Sequence, residues 1–171
     1  MRRLTAFWLA EQLQHRNPNL LILNYGTNES QYDAPENFVT YETDLREVVR
    51  RARAALPKSS ILIMAPMDRG QRGPGGGIVT RPAIPQIVEM QRRVAQETGC
   101  AFFDTFTAMG GAGTMAKWYA GVNGAKLVGG DLMHPKPPGA EIVGQLLYQA
   151  LSNGFDRYQT AAAQQTTTPK K

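Results

Sequence analysis

The sequence predicts an α/β fold built on a parallel sheet with helices on both faces. Three observations predict it. Short apolar runs alternate with longer stretches of helical spacing, in the order helix, strand, helix, strand, helix, strand, helix. Two of the runs, Leu20 to Tyr25 and Ser60 to Pro66, are continuously apolar, the pattern of strands covered on both faces. Breakers stand at the joints: Asn17-Pro18, Pro57 and Gly99.

Taken in order, Leu4, Phe7, Trp8, Leu9 and Leu13 place an amphipathic helix over about Arg3 to His15. The run Leu20 to Tyr25 is the first strand and ends in the polar, turn-prone Gly26-Thr27-Asn28-Glu29-Ser30. After a loop containing Pro35, residues Tyr41, Leu45, Val48, Val49, Ala52 and Leu56 recur at helical spacing, with Thr40 as N-cap. Glu42 with Arg46 and Glu47 with Arg51 are spaced as i,i+4 ion pairs, so these arginines form a solvated helix face and not a nucleic-acid patch. Ser60 to Pro66 is the second strand. Arg69 to Gly77 reads as a glycine-rich flexible loop without a phosphate-binding signature. Pro82 and Pro85 open a helix whose apolar positions run through Ala95, with Gly99 as its terminating glycine. Cys100 to Asp104 is the third strand. Met115, Trp118 and Tyr119 mark a short helix, and Ile142 to Leu151 mark the last one. Residues 1–158 form one domain. Residues 159–171, rich in Ala, Gln, Thr and Lys, are expected to be a disordered tail.

Composition narrows the function classes. The chain has 171 residues, a single cysteine and two histidines, which excludes a disulfide framework and a Cys- or His-rich metal site. No cofactor is expected. The net charge of +5 is spread along the chain and does not argue for nucleic acid. No apolar run approaches the ~20 residues of a membrane span. The N-terminus lacks the long apolar region and cleavage site of a signal peptide, and the compartment is left unassigned.

The chemistry concentrates in two loops. Gly129-Gly130-Asp131-Leu132-Met133-His134-Pro135 is a stiff, turning segment between the third strand and the last helix. It presents a carboxylate and an imidazole three residues apart, as a general base and its orienting group require. Gly26-Thr27-Asn28 follows the first strand. In an open parallel sheet, ligands bind beyond the carboxyl ends of the strands, and both loops fall at that edge. There the Asn28 amide offers an uncharged donor for a developing oxyanion, and Gly26 lets substrate approach the backbone.

With G-x-N and D-x-x-H in this order on this architecture, the chain resembles the carboxyl-terminal two-thirds of the SGNH, or GDSL-type, hydrolases. The resemblance implies a flavodoxin-like α/β/α three-layer sandwich, incomplete at its N-terminus, and esterase or acylhydrolase activity. It implies His134 as general base, Asp131 as its orienter, and Asn28 with Gly26 at the oxyanion hole. The stretches Phe102 to Tyr119 and Gly139 to Tyr158 also resemble the bacterial branch acting on acetylated cell-wall or exopolysaccharide sugars. The implied substrate is a small-molecule or carbohydrate ester.

The family's Gly-Asp-Ser block, its preceding strand and its second block have no counterpart here. Of the four serines, Ser59 and Ser60 precede a strand, Ser152 ends a helix, and Ser30 lacks a strand–turn–helix elbow. Cys100 also precedes its strand. The expected reaction is therefore ester hydrolysis with the nucleophile outside this chain. The alternatives are a non-catalytic remnant that binds carbohydrate or a partner chain, and a different flavodoxin-like binding domain. With the family's strand order, Leu20–Tyr25 has an open edge, and the chain alone is expected to be poorly stable or to self-associate there.

Overall fold

The computed structural model describes residues 6–32 and 34–167. Helix α1 (Ala6–Arg16) leads into strand β1 (Leu20–Asn24), helix α2 (Pro35–Ala55) and strand β2 (Ser60–Met64). A small hairpin follows, β3 (Gly70–Arg72) and β4 (Ile78–Thr80), and then helix α3 (Ala83–Thr98) and strand β5 (Ala101–Phe103). Helices α4 (Thr105–Ala108), α5 (Thr114–Ala120) and α6 (Pro137–Thr167) complete the chain. Residues Arg3 to Thr5 of the expected first helix lie outside the described residues.

The main sheet is three-stranded and parallel, in the order β1-β2-β5. Register sets Leu21 beside Ile61, Leu23 beside Ile63, and Ile63 beside Phe102. Because side chains alternate along a strand, these residues share one face. That face packs against Leu45 and Val49 of α2, Ile87, Met90 and Val94 of α3, and Leu13 of α1. A second core joins Met115 and Trp118 of α5, Leu127 and Val128, and Val143 and Leu146 of α6. Gly139 is required where α6 begins, since a Cβ there would collide with the Leu127 carbonyl oxygen.

Several elements differ from the sequence reading. Helix α2 starts at Pro35, not after Thr40: proline is favoured in a first helical turn, and Glu36 complements the positive end of the helix there. The glycine-rich segment from Arg69 to Gly77 is not wholly irregular, because β3 within it pairs with β4 just after it, Gln71 opposite Val79. Helix α6 continues to Thr167, through most of the expected disordered tail. The run Ala161-Ala162-Ala163-Gln164 is rich in helix-favouring residues, and no proline interrupts it. Strand β1 is not covered on both faces, since Leu20 and Ile22 are 39% and 41% exposed. Among the described residues it is an edge strand, hydrogen-bonded to β2 alone. Both expected helix ion pairs form, Arg46 with Glu42 at 2.7 Å and Arg51 with Glu47 at 2.6 Å.

Candidate active site

The loop from Gly129 to Pro135 is a closed turn held at both ends. The Gly129 amide donates to the His134 carbonyl at 2.9 Å, and the Leu132 amide to the Gly129 carbonyl at 3.1 Å. Leu132 has φ +57°, a conformation that a branched side chain adopts only under constraint. The constraint is visible. Its side chain is buried, 5% exposed, and its carbonyl accepts the Gly70 amide at 2.9 Å.

This turn aims the two side chains at each other. Asp131 Oδ2 lies 2.5 Å from His134 Nδ1, while Oδ1 accepts the amides of Met133 and His134, each at 3.1 Å. The bond from His134 and these two amides hold the Asp131 carboxyl down at about 2, although it is largely solvent-exposed. With Nδ1 committed to Asp131, Nε2 is the ring nitrogen left for proton transfer. The imidazole is 72% exposed, so a reacting group can reach it.

Asn28 begins a single 3-10 turn after β1, and its side chain makes no capping bond to that turn. It is exposed. The backbone around it is closely braced. The Ser30 hydroxyl donates to the Thr27 carbonyl at 2.6 Å. Arg69 Nη1 donates to the Thr27 carbonyl at 2.8 Å and to Ser30 Oγ at 2.9 Å. Arg81 donates to the carbonyls of Ser30 and Gln31, at 2.6 and 3.3 Å. These two arginines flank the β3–β4 hairpin, and the Arg81 amide donates to the Arg69 carbonyl at 2.7 Å. The next residue, Gly70, holds Leu132. One hairpin base therefore connects the Asn28 loop with the Asp131–His134 loop. A shallow pocket lined by Thr27, Met64, Met67, Pro135 and Val143 lies between the residue before Asn28 and the residue after His134.

Gly26 does not supply an oxyanion donor. Its amide is spent on Glu29 Oε2 at 2.9 Å. Its importance is conformational: φ is +117°, and a Cβ would press on Ile87 and Pro66. Ser30 is fully buried and bonded on both sides, which removes it as a nucleophile. Ser59 donates to the Pro18 carbonyl at the amino edge of the sheet.

Arg69, Arg81 and Asp68 were not singled out by sequence. Asp68 is buried at 1% exposure and accepts the Met115 amide at 2.8 Å, fixing the start of α5. Arginines twelve positions apart on either side of a hairpin leave no periodic trace in a sequence. The position of Arg69 just beyond β2, at the carboxyl edge, is the one signal available.

Residues 2–142 match the model of the GDSL-like lipase/acylhydrolase family, and the chain belongs to that family. No curated protein matches it. Among solved structures it is similar to a peptidoglycan O-acetylesterase at 26% identity and TM-score 0.74, covering 84% of this chain and 40% of that one. It is similar to the acetyl-xylooligosaccharide esterase Axe2 of Geobacillus stearothermophilus at 23% identity and TM-score 0.58, covering 82% and 63%. A GDSL-like lipase from Parabacteroides merdae matches at 18% identity and TM-score 0.61, covering 86% and 68%. The chain thus spans less than two-thirds of the first two. Two variant Axe2 structures carry alanine at an aspartate and at a histidine three residues further on, each described as a catalytic mutant.

Proposed function

We propose that this chain supplies the base, its orienter and the oxyanion donor of a serine ester hydrolase, acting on an acetylated or similar small acyl ester of a carbohydrate. The observation that carries the reading is the Asp131 carboxylate bonded to His134 Nδ1. Asp131 fixes the tautomer and favours the imidazolium. His134 Nε2 takes the proton of a serine hydroxyl as that oxygen bonds to the ester carbonyl carbon. The Asn28 amide donates to the resulting oxyanion. Collapse expels the alcohol, which takes the proton back from His134, and water then releases the acid by the same two steps. The spacing of the two catalytic positions in Axe2 supports the assignment of Asp131 and His134. The acetyl esters named for the similar structures support the substrate class.

None of the four serines is placed to react, so the nucleophile comes from polypeptide beyond this sequence. That same observation favours a second reading, a family member that binds carbohydrate or a partner chain without catalysis. A fluorophosphonate probe separates the readings. The 171-residue protein is expected to stay unlabelled, and a longer product of the same reading frame carrying a Gly-Asp-Ser segment is expected to label. In that longer form His134→Ala is expected to abolish esterase activity with folding intact. Activity retained by that variant sinks the assignment.

A further inference from the structure

The first turns of α6 are built into the protein, with Val143 and Leu146 in the second core. From Tyr148 onward the helix turns an apolar stripe to solvent. Tyr148, Leu151, Phe155 and Tyr158 are 67%, 45%, 58% and 71% exposed. At about 100° per residue they fall within an arc of roughly 80°, the seam of a helix that pairs with another helix. The family match ends at residue 142, so the stripe lies outside the region that defines the family.

The stripe also has a symmetry. Its spacings are three, four and three, and the order of its residues is aromatic, Leu, Phe, aromatic. Turned end over end about the level of Asn153, the pattern maps onto itself. Tyr148 then meets Tyr158 of a second copy and Leu151 meets Phe155, so the smaller side chain faces the larger at the centre. Ser152 and Gly154 flank the seam at that level. Both are small, and the space where a Gly154 Cβ would point is open, which lets two backbones approach. The charged residues of this stretch, Asp156 and Arg157, lie on the far side, so self-pairing brings no like charges together.

From these observations we infer that α6 pairs antiparallel with α6 of a second copy, through Tyr148, Leu151, Phe155 and Tyr158. The contact is isologous, as two-fold pairing requires. The inference is independent of the proposed reaction.

Sedimentation equilibrium over roughly a hundredfold range of protein concentration tests it, because pairing is governed by mass action. The unaltered chain is expected to approach twice the monomer mass at the upper end. Leu151→Glu alone and Phe155→Lys alone are expected to be monomeric, with far-UV circular dichroism showing the fold retained. The chain carrying both substitutions is expected to dimerise again, since antiparallel pairing sets the new carboxylate opposite the new ammonium. Three results overturn the inference. One is a monomer at every concentration. Another is a dimer that survives both single substitutions, which points to the β1 edge. The third is a double variant that stays monomeric, as parallel pairing or a different partner surface produces.

Discussion

Asp131 divides its two oxygens between two tasks. Oδ1 accepts backbone amides and shapes the turn, while Oδ2 holds the imidazole. The depressed carboxyl fixes the sign of its pH response. A group whose pKa falls on folding favours the folded state above its ordinary value near 3.8 and loses that contribution as pH drops through about 2. The pair is exposed, so the effect on stability is small and the titration itself is the useful readout. A carbon-13 titration is expected to place the Asp131 midpoint well below 3.8, and His134→Ala is expected to move it back up. In an active form, Asp131→Asn is expected to lower kcat by ~10²–10⁴ through loss of tautomer control and imidazolium stabilisation. Asn28→Ala is expected to lower kcat by ~10²–10³ with KM little changed. At this scale the sequence was informative, because a carboxylate three residues before a histidine in a turn is a local pattern. Gly26 was legible only in part. That it must be glycine follows from its loop, but the capture of its amide by Glu29 depends on how the turn closes.

Among the elements, the β3–β4 hairpin was the least legible. Its strands are three residues each and the segment between them is rich in glycine, so no alternation marks them. Their pairing comes from closure between Arg69 and Arg81. Hydrogen bonds to charged groups contribute ~1.5–3 kcal/mol each, so cutting the guanidinium contacts opens the Asn28 loop measurably. In Arg69→Ala, the Ser30 and Gln31 amides are expected to exchange with deuterium more than about tenfold faster, while core amides of β2 stay protected. Unchanged exchange at Ser30 removes the bracing role. Gly26→Ala is expected to destabilise the fold by ~2 kcal/mol, through its positive φ and the crowding by Ile87 and Pro66, read as a lowered denaturation midpoint. The long helices were far easier to read, since their apolar spacing repeats over many turns. The start of α2 was misplaced because Pro35 looked like a loop residue and is a first-turn residue.

For the whole molecule, alternation of strands and helices was enough to give the parallel sheet. Coverage of β1 was not readable from the run itself. Leu20 to Leu23 is uniformly apolar whether one face is covered or two, and only the packing shows that the Leu20 and Ile22 side is bare. Among the described residues the outer edge of β1 is unpaired, and this edge and the bare face fit a further strand and its helix, the segment from which the proposed function draws its serine. Co-expression of such a segment is expected to raise the melting temperature of the 171-residue chain and to restore fluorophosphonate labelling, on the added segment. A sharp cooperative transition of the chain alone, unmoved by the added segment, counts against a vacant place beside β1.

Leu132 has a consequence for engineering. It anchors the Asp131–His134 turn from below, while Gly130 is exposed and Met133 half-buried. Anchoring and surface shape therefore reside in different residues of one short loop. On the proposed function, a library randomised at Gly130 and Met133 is expected to alter the surface of the loop while His134 keeps its aim. In a longer form that carries the serine, a library that includes Leu132 is expected to return mostly inactive clones, read by esterase assay, because the turn loses its buried anchor.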